Sequence, residues 1–323
     1  MKRNQTIANW SIQGKYVVIT GATSGIGLAA AKALAIRGAN LGIVARNPVK
    51  ANEVANQIVA LTQGKTTVDI FLADMSSQLS VRQVAADILA RCPRIDILIN
   101  NAGALYVTRQ LTVDGLEMTW AVNHLAPFLL TTLLLDRLKE SEHARIITTA
   151  SHGHKLAKKG INFDDPSAKR LYSFPMVVMG GNQFRYAETK LANVLFTAEL
   201  ADRLKGTGVA AYCYDPGLVA TNFNQHNGAI ARAQMAVMNL FSRTPEKGAE
   251  TLVWLADSAE VSSQNGLYYK DMRIETPSES ARNNDMANRL WRISEEQVRP
   301  SETSPLNNHQ ESKHVHAGKT PVM

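Results

Sequence analysis

Tyr16-Val17-Val18-Ile19-Thr20-Gly21-Ala22-Thr23-Ser24-Gly25-Ile26-Gly27 is the stretch on which the reading of this chain turns. Its first five residues form a β-branched, apolar run suited to a strand buried on both faces. From Ile26 to Arg37 the apolar residues fall at helical spacing, and Gly38 closes that helix. Between strand and helix, glycines at 21, 25 and 27 let the chain turn tightly. They also let backbone approach a pyrophosphate and let the helix pack on the strand, and the helix N-terminus adds unpaired N–H groups and a positive dipole end. A lone glycine pattern is as readily a structural turn; its place at the first strand-to-helix junction of a repeating pattern gives it weight.

That pattern continues outward. Strands are predicted at Leu41–Ala45, Val68–Leu72, Ile95–Ile99, Arg145–Thr149, Val209–Tyr214 and Gly266–Tyr269. Helices are predicted from about Val49 to Leu61, Leu79 to Arg91, Gly115 to Lys139, Ala187 to Leu204, from Pro245, and from about Ser278 to Val298. Alternation of this kind predicts an α/β fold, a Rossmann-type doubly wound parallel sheet of about seven strands with helices on both faces. One domain over residues 1–299 is expected. Residues 300–323 are polar, with three prolines, and read as a disordered tail. His309, His314 and His316 lie in that tail without a scaffold to fix them, and no metal site is expected. There is no internal repeat.

The chain has 323 residues, a formal charge of +7, 45% hydrophobic and 20% charged residues, which excludes disorder for most of it. The run from Ala126 to Leu135 is too short for a membrane span, which needs ~20 residues. The N-terminus lacks the apolar stretch of a secretory signal, so no membrane span and a cytoplasmic location are expected. Cys92 and Cys213 are too few for a disulfide framework and read as inert core residues. Basic residues are scattered among acids, so no nucleic-acid partner is expected. The nearest approach to a patch, Lys155, Lys158, Lys159, Lys169 and Arg170, reads as a solvated loop face.

An NAD-binding fold places an acidic residue at the end of strand two, to hold the ribose hydroxyls. Here Ala45-Arg46-Asn47 stands there. A guanidinium matches a 2′-phosphate, so NADP(H) is expected unless Arg46 is merely exposed. Asp74 and Met75 end strand three, placed to bind and cover the adenine or, for Asp74, to start a helix. In Tyr186-Ala187-Glu188-Thr189-Lys190, tyrosine and lysine share a helix face. A nearby ammonium, with the positive nicotinamide of an oxidised cofactor, stabilises phenolate and brings its pKa toward working range. Asn100-Asn101-Ala102-Gly103, Ser151 and Asn123 converge on it, clustered where a parallel sheet builds its site.

The ordered set Thr20-Gly21-x-x-x-Gly25-x-Gly27, Asn100-Asn101-Ala102-Gly103, Asn123, Ser151, Tyr186-x-x-x-Lys190 and Asp215-Pro216-Gly217 resembles the short-chain dehydrogenase/reductase family over residues 10–298. Leu191-Ala192-Asn193-Val194-Leu195-Phe196 and Ala287-Asn288-Arg289-Leu290-Trp291 are similar to its retinol dehydrogenase-like branch. That branch includes the WW-domain oxidoreductases, whose WW modules are absent here. The resemblance implies that Tyr186 donates or accepts the proton and that Lys190 modulates its pKa and contacts the ribose. Ser151 would orient the carbonyl oxygen, and Asn123 would hold a water linking Lys190 to solvent. It implies cofactor contacts from Gly21, Ser24, Gly25, Ile26, Gly27, Arg46, Asp74, Met75, Asn100, Ala102, Gly103, Tyr186, Lys190, Pro216, Gly217, Val219 and Thr221. A homodimer through the helices starting near Gly115 and Tyr186 is also implied.

Two departures from the family pattern stand out. Asp215 occupies a position often held by histidine, a change expected to touch packing more than chemistry. Ser151 and Tyr186 are separated by 35 positions, a longer gap than in many members. Its apolar stretch Leu171 to Met179 either overhangs the substrate or covers the core, and His152 and His154 either touch substrate or orient the loop. After Gly217 the chain runs Leu218, Val219, Ala220, Thr221, Asn222, Phe223, then Ala229 to Phe241, rich in apolar residues. This suits a lid over a bulky apolar alcohol or carbonyl substrate, or simple packing of the lid. The expected activity is hydride transfer between NADP(H) and a carbonyl or alcohol carbon. The alternatives are a non-catalytic NADP-sensing protein and a double-bond reductase akin to protochlorophyllide reductases.

Overall fold

The structure, a computed structural model, describes residues 10–219 and 242–300. Eight strands form one sheet: β1 (Tyr16–Thr20), β2 (Asn40–Ala45), β3 (Val68–Leu72), β4 (Ile97–Asn100), β5 (Arg145–Thr149), β6 (Ala210–Asp215), β7 (Leu267–Lys270) and β8 (Arg273–Ile274). Their order is β3-β2-β1-β4-β5-β6-β7-β8. All pairs are parallel except β7 with β8, a two-residue antiparallel edge absent from the sequence-based expectation. Strand order reverses between β1 and β4, and the crevice at their carboxyl ends is where such sheets hold ligands.

Helices α1 (Gly25–Ile36), α2 (Pro48–Leu61), α3 (Gln78–Arg91), α4 (Met118–Lys139), α5 (Gly181–Arg203), α6 (Pro245–Asp257) and α7 (Asn284–Gln297) cover both faces. Alternation along the strands decides which helix meets which side chain. Val17, Ile19, Ile97 and Ile99 pack with Leu34, Ile58 and Leu252 of α1, α2 and α6. Val18 and Leu98 face the opposite way, onto Ile88, Leu134 and Leu195 of α3, α4 and α5. Each such aliphatic side chain, wholly removed from water, contributes ~1.5–3 kcal/mol. Cys92 and Cys213 are buried and unpaired, and burial pushes the Cys213 thiol up to about 12.

Two helix starts and one internal turn differ from expectation. Helix α5 begins at Gly181, six residues earlier than predicted, after Gly180 in the left-handed region at φ +83°. Helix α4 begins at Met118, because Leu111 and Glu117 form an isolated bridge before it. Residues Ala121–Leu125 of α4 form a π turn. By length and composition α4 alone among the described helices could cross a membrane, yet 78% of its apolar window is buried inside the fold.

Helix α7 lies across α4 and α5, the two helices expected to pair in a dimer. Trp291 stacks on Phe196 at 5.9 Å and meets Phe128 edge-on at 5.0 Å. The Ser294 hydroxyl lies 2.7 Å from His124 Nε2, and Trp120 Nε1 donates to Gln297 Oε1 at 2.9 Å. Residues 301–323, with the three tail histidines, lie outside the described residues.

Candidate active site

A cleft of about 860 Å³ opens at the carboxyl ends of β1, β2, β4 and β5. At one end, Gly21 has φ +70°, and a Cβ there would stand 3.0 Å from the Ala102 Cα. A Cβ on Gly27 would come within 2.3 Å of the Gly21 carbonyl oxygen, so α1 packs against the turn only because residue 27 has no side chain. The turn is stapled from β4. Asn101 Nδ2 donates to the carbonyls of Thr20 and Gly21, and Thr20 Oγ1 accepts from the N–H groups of Asn101 and Ala102.

The Ser24 side chain makes no cap bond to α1, whereas Asn47 caps α2 and Ser77 caps α3. The first turn of α1, Gly25 to Gly27, thus presents uncapped N–H groups and a positive dipole end to the cleft. Opposite stand Arg46, exposed at the end of β2, and Asp74 with Met75 after β3. Asp74 Oδ1 accepts from both Ser76 N and Ser76 Oγ, while Ser77 caps α3, so Asp74 shapes the turn rather than starting the helix. Tyr106, which the sequence reading did not single out, lines the same wall close enough to feel the Arg46 charge. These features suit an anionic dinucleotide, its pyrophosphate at α1 and its adenosine end at Arg46.

At the other end, β5 delivers Ser151 and α5 delivers Tyr186 and Lys190 to the cleft. The Ser151 hydroxyl and the Tyr186 ring stand side by side, both within 4 Å of the place a Cβ on Gly153 would take. Lys190 together with the positive nicotinamide of an oxidised cofactor is expected to lower the phenol's pKa; among the protein's own groups the balance pushes it up. Burial is the main cause, the Ser151 hydroxyl opposes it and the Asp215 carboxylate reinforces it. Lys190 Nζ instead donates to the Thr149 carbonyl at 2.9 Å, which also accepts from Asn193 Nδ2. Burial pushes the Lys190 ammonium down to about 8, against the pull of Asp215. Asp215 Oδ1 accepts from Gly217 N, so the residue shapes the Pro216-Gly217 turn, and its charge also reaches the site.

Asn123 sits in the π turn, buried behind the cleft wall. Its Oδ1 accepts from Ala104 N at 2.7 Å, and its Nδ2 donates to Ala104 O and Thr189 Oγ1. This amide pins the loop after β4 to α5. π turns of this kind recur at functional sites. Asn100 also turns away from the cleft, its Nδ2 donating to Thr131 Oγ1 of α4. Gly103, Pro216, Gly217 and Val219 line the cleft as expected; Thr221 and the lid from Ala220 to Phe241 lie outside the described residues.

From the long gap before Tyr186, Val177 and Val178 of the apolar stretch line the cleft, as do Asn182 and Gln183 at the start of α5, together with Val107 and Leu218. His154 orients: its Nδ1 bonds the Ser151 carbonyl at 2.7 Å, and its Nε2 accepts from Ser278 N. His152 is exposed outside the cleft. Lys155 pairs with Glu275, and Lys158, Lys159, Lys169 and Arg170 are exposed.

Residues 15–162 match the family model described as short chain dehydrogenase. Retinol dehydrogenase 12 of Bos taurus is 40% identical over 281 residues, covering 87% of this chain and 85% of the relative. Among solved structures, an uncharacterised protein from Mycobacterium paratuberculosis superposes with TM-score 0.69 at 29% identity, covering 90% of this chain and 96% of that one. An NAD(P)-dependent gluconate 5-dehydrogenase from Beutenbergia cavernae, solved with bound NADP, superposes with TM-score 0.62 at 26% identity, over 80% and 95%.

Proposed function

The chain belongs to the short-chain dehydrogenase/reductase family and is a retinol dehydrogenase-like oxidoreductase, and from that premise we propose that it uses NADP(H) to interconvert a bulky, mainly apolar alcohol and its carbonyl. The observation that carries this is that Ser151, Tyr186 and Lys190 line one cleft together with the uncapped start of α1. When bound, the nicotinamide supplies or takes the hydride. Ser151 holds the carbonyl oxygen, and Tyr186, kept protonated by burial, donates its proton to the developing alkoxide. Lys190, its proton loosened by burial, restores charge balance beside the phenol.

Arg46 favours NADP over NAD, and NADP at low occupancy in the Beutenbergia structure is consistent with that choice. The apolar wall of Val107, Val177, Val178 and Leu218, and a relative named for retinol, support a bulky apolar substrate. The test is NADPH oxidation with a panel of retinoid, steroid, long-chain and aromatic aldehydes and ketones beside small anionic carbonyls. Turnover confined to the small anions would overturn the substrate class. Cofactor binding with no turnover of any carbonyl would favour the sensor reading, and light-dependent reduction of a bound pigment the double-bond reductase reading.

A further inference from the structure

Arg185 immediately precedes Tyr186 on α5, and its side chain is 1% exposed. Each arm of the guanidinium ends on a different part of the site. Its Nε donates to Glu117 Oε2 at 2.8 Å, Nη1 to Glu188 Oε2 at 2.9 Å and Nη2 to the Pro166 carbonyl at 2.6 Å, while its plane lies 4.8 Å from the Trp120 ring. Glu117 in turn caps α4, the helix that carries Asn123, accepting from Thr119 N and Trp120 N. Glu117 also accepts from the Tyr172 hydroxyl of the substrate-side segment, which reaches the Tyr106 carbonyl as well. The second oxygen of Glu188 accepts from Asn162 N.

We infer that the Glu117–Arg185–Glu188 cluster is a positioning device that sets the start of α5, and with it Tyr186, against the Asn123 helix and the substrate-side wall. Burying three charges rarely adds stability over well-packed apolar residues, so stability alone does not account for the cluster. Directional, fully satisfied bonds fix distances that apolar contact leaves adjustable. Tyr186 and Ser151 come from elements 35 positions apart, and a hydride acceptor misplaced by ~1 Å costs ~100-fold. The phosphate end rests on β1, α1 and β2, none of which the cluster touches, so the pyrophosphate's share of cofactor affinity, the larger part, is independent of it. The inference rests on Tyr186 as proton donor, and the measurements below separate the two.

Two variants test it: Arg185→Lys, which keeps the charge but cannot span three acceptors, and Arg185→Met/Glu117→Gln/Glu188→Gln, which leaves no unpaired buried charge. In both, NADPH affinity by fluorescence is expected within twofold of wild type. The kcat should fall at least tenfold, and the pH-profile limb belonging to Tyr186 should shift as its placement beside Ser151 changes. Amide exchange should rise in residues 117–125 and 160–190 and not in residues 16–61. A kcat within twofold of wild type in either folded variant overturns the inference, as does an equal loss of NADPH affinity and kcat. Tyr186→Phe is the control: if it stays active the acid assignment fails, while the exchange pattern still reports on the cluster.

Discussion

Replacing Arg46 by aspartate is expected to reverse the cofactor preference. The side chain stands exposed on the cleft wall with no hydrogen bond or ion pair to another described residue, so it is available to a ligand. A charge-assisted hydrogen bond contributes ~1.5–3 kcal/mol, and exposure places this one near the lower value, about one decade. Aspartate adds repulsion: one charge against the ~2 of a phosphate, ~5 Å apart in water, costs ~1.7 kcal/mol, about a second decade. Arg46→Ala should therefore lose about tenfold in kcat/KM for NADPH, and Arg46→Asp about a hundredfold. Against NADH the new carboxylate accepts from the ribose hydroxyls, so that efficiency should hold or rise. The assay is the ratio of the two efficiencies at fixed ionic strength, with salt weakening the repulsive part. An NADPH/NADH ratio unchanged in Arg46→Asp would refute the reasoning.

Tyr186→Phe should lower turnover by ~100-fold to 10,000-fold while NADPH binding, read by fluorescence, stays near wild type; a rate above about a tenth of wild type would mean another group supplies the proton. Lys190→Met should abolish turnover yet stabilise the fold at pH 7. Burial lowers the lysine from 10.5 to about 8, so between those values the unfolded chain holds the extra proton and stability rises with pH. Less ~1 kcal/mol for the bond to Thr149, the gain at pH 7 is ~2 kcal/mol, shrinking toward pH 10.5. Denaturant midpoints at pH 7 and pH 10 check this, and a lower midpoint for the variant at pH 7 counts against it. Trp291→Ala should cost ~3–5 kcal/mol in urea unfolding, because the ring is 6% exposed and packed on Phe128 and Phe196; a loss below ~1 kcal/mol would show that α7 is held otherwise.

The strands and the glycine turn were readable because burial on both faces makes strands continuous apolar runs and because Gly21 and Gly27 sit where any side chain would collide. The π turn at Asn123 was not, since one extra residue in a turn leaves helical periodicity nearly unchanged over so short a span. Asn100 and Asn101 look alike in sequence. Successive side chains at a strand end point to opposite faces, so one meets Thr131 and the other staples the Thr20–Gly21 turn. Arg185 would pass for a surface residue, because its chief partner, Glu117, is 68 positions away. The phenol's raised pKa was missed because spacing along a helix reports the lysine's nearness but neither the site's desolvation nor the bond that draws Lys190 to Thr149.

Helix α7 is the last described helix to leave the ribosome, and it finishes surfaces begun far earlier. Gln78 and Arg82 of α3 donate to the carbonyls of Gln297 and Val298, and His124 waits for Ser294. At ~5–20 residues per second, the ~150 residues between α4 and Trp291 take about 8–30 s to synthesise. Throughout that interval Phe128, and later Phe196, lack the indole that covers them, so the nascent chain carries an apolar seam where the finished molecule has none. Chains that terminate before Trp291 keep that seam open, an exposed apolar surface of the kind that promotes aggregation.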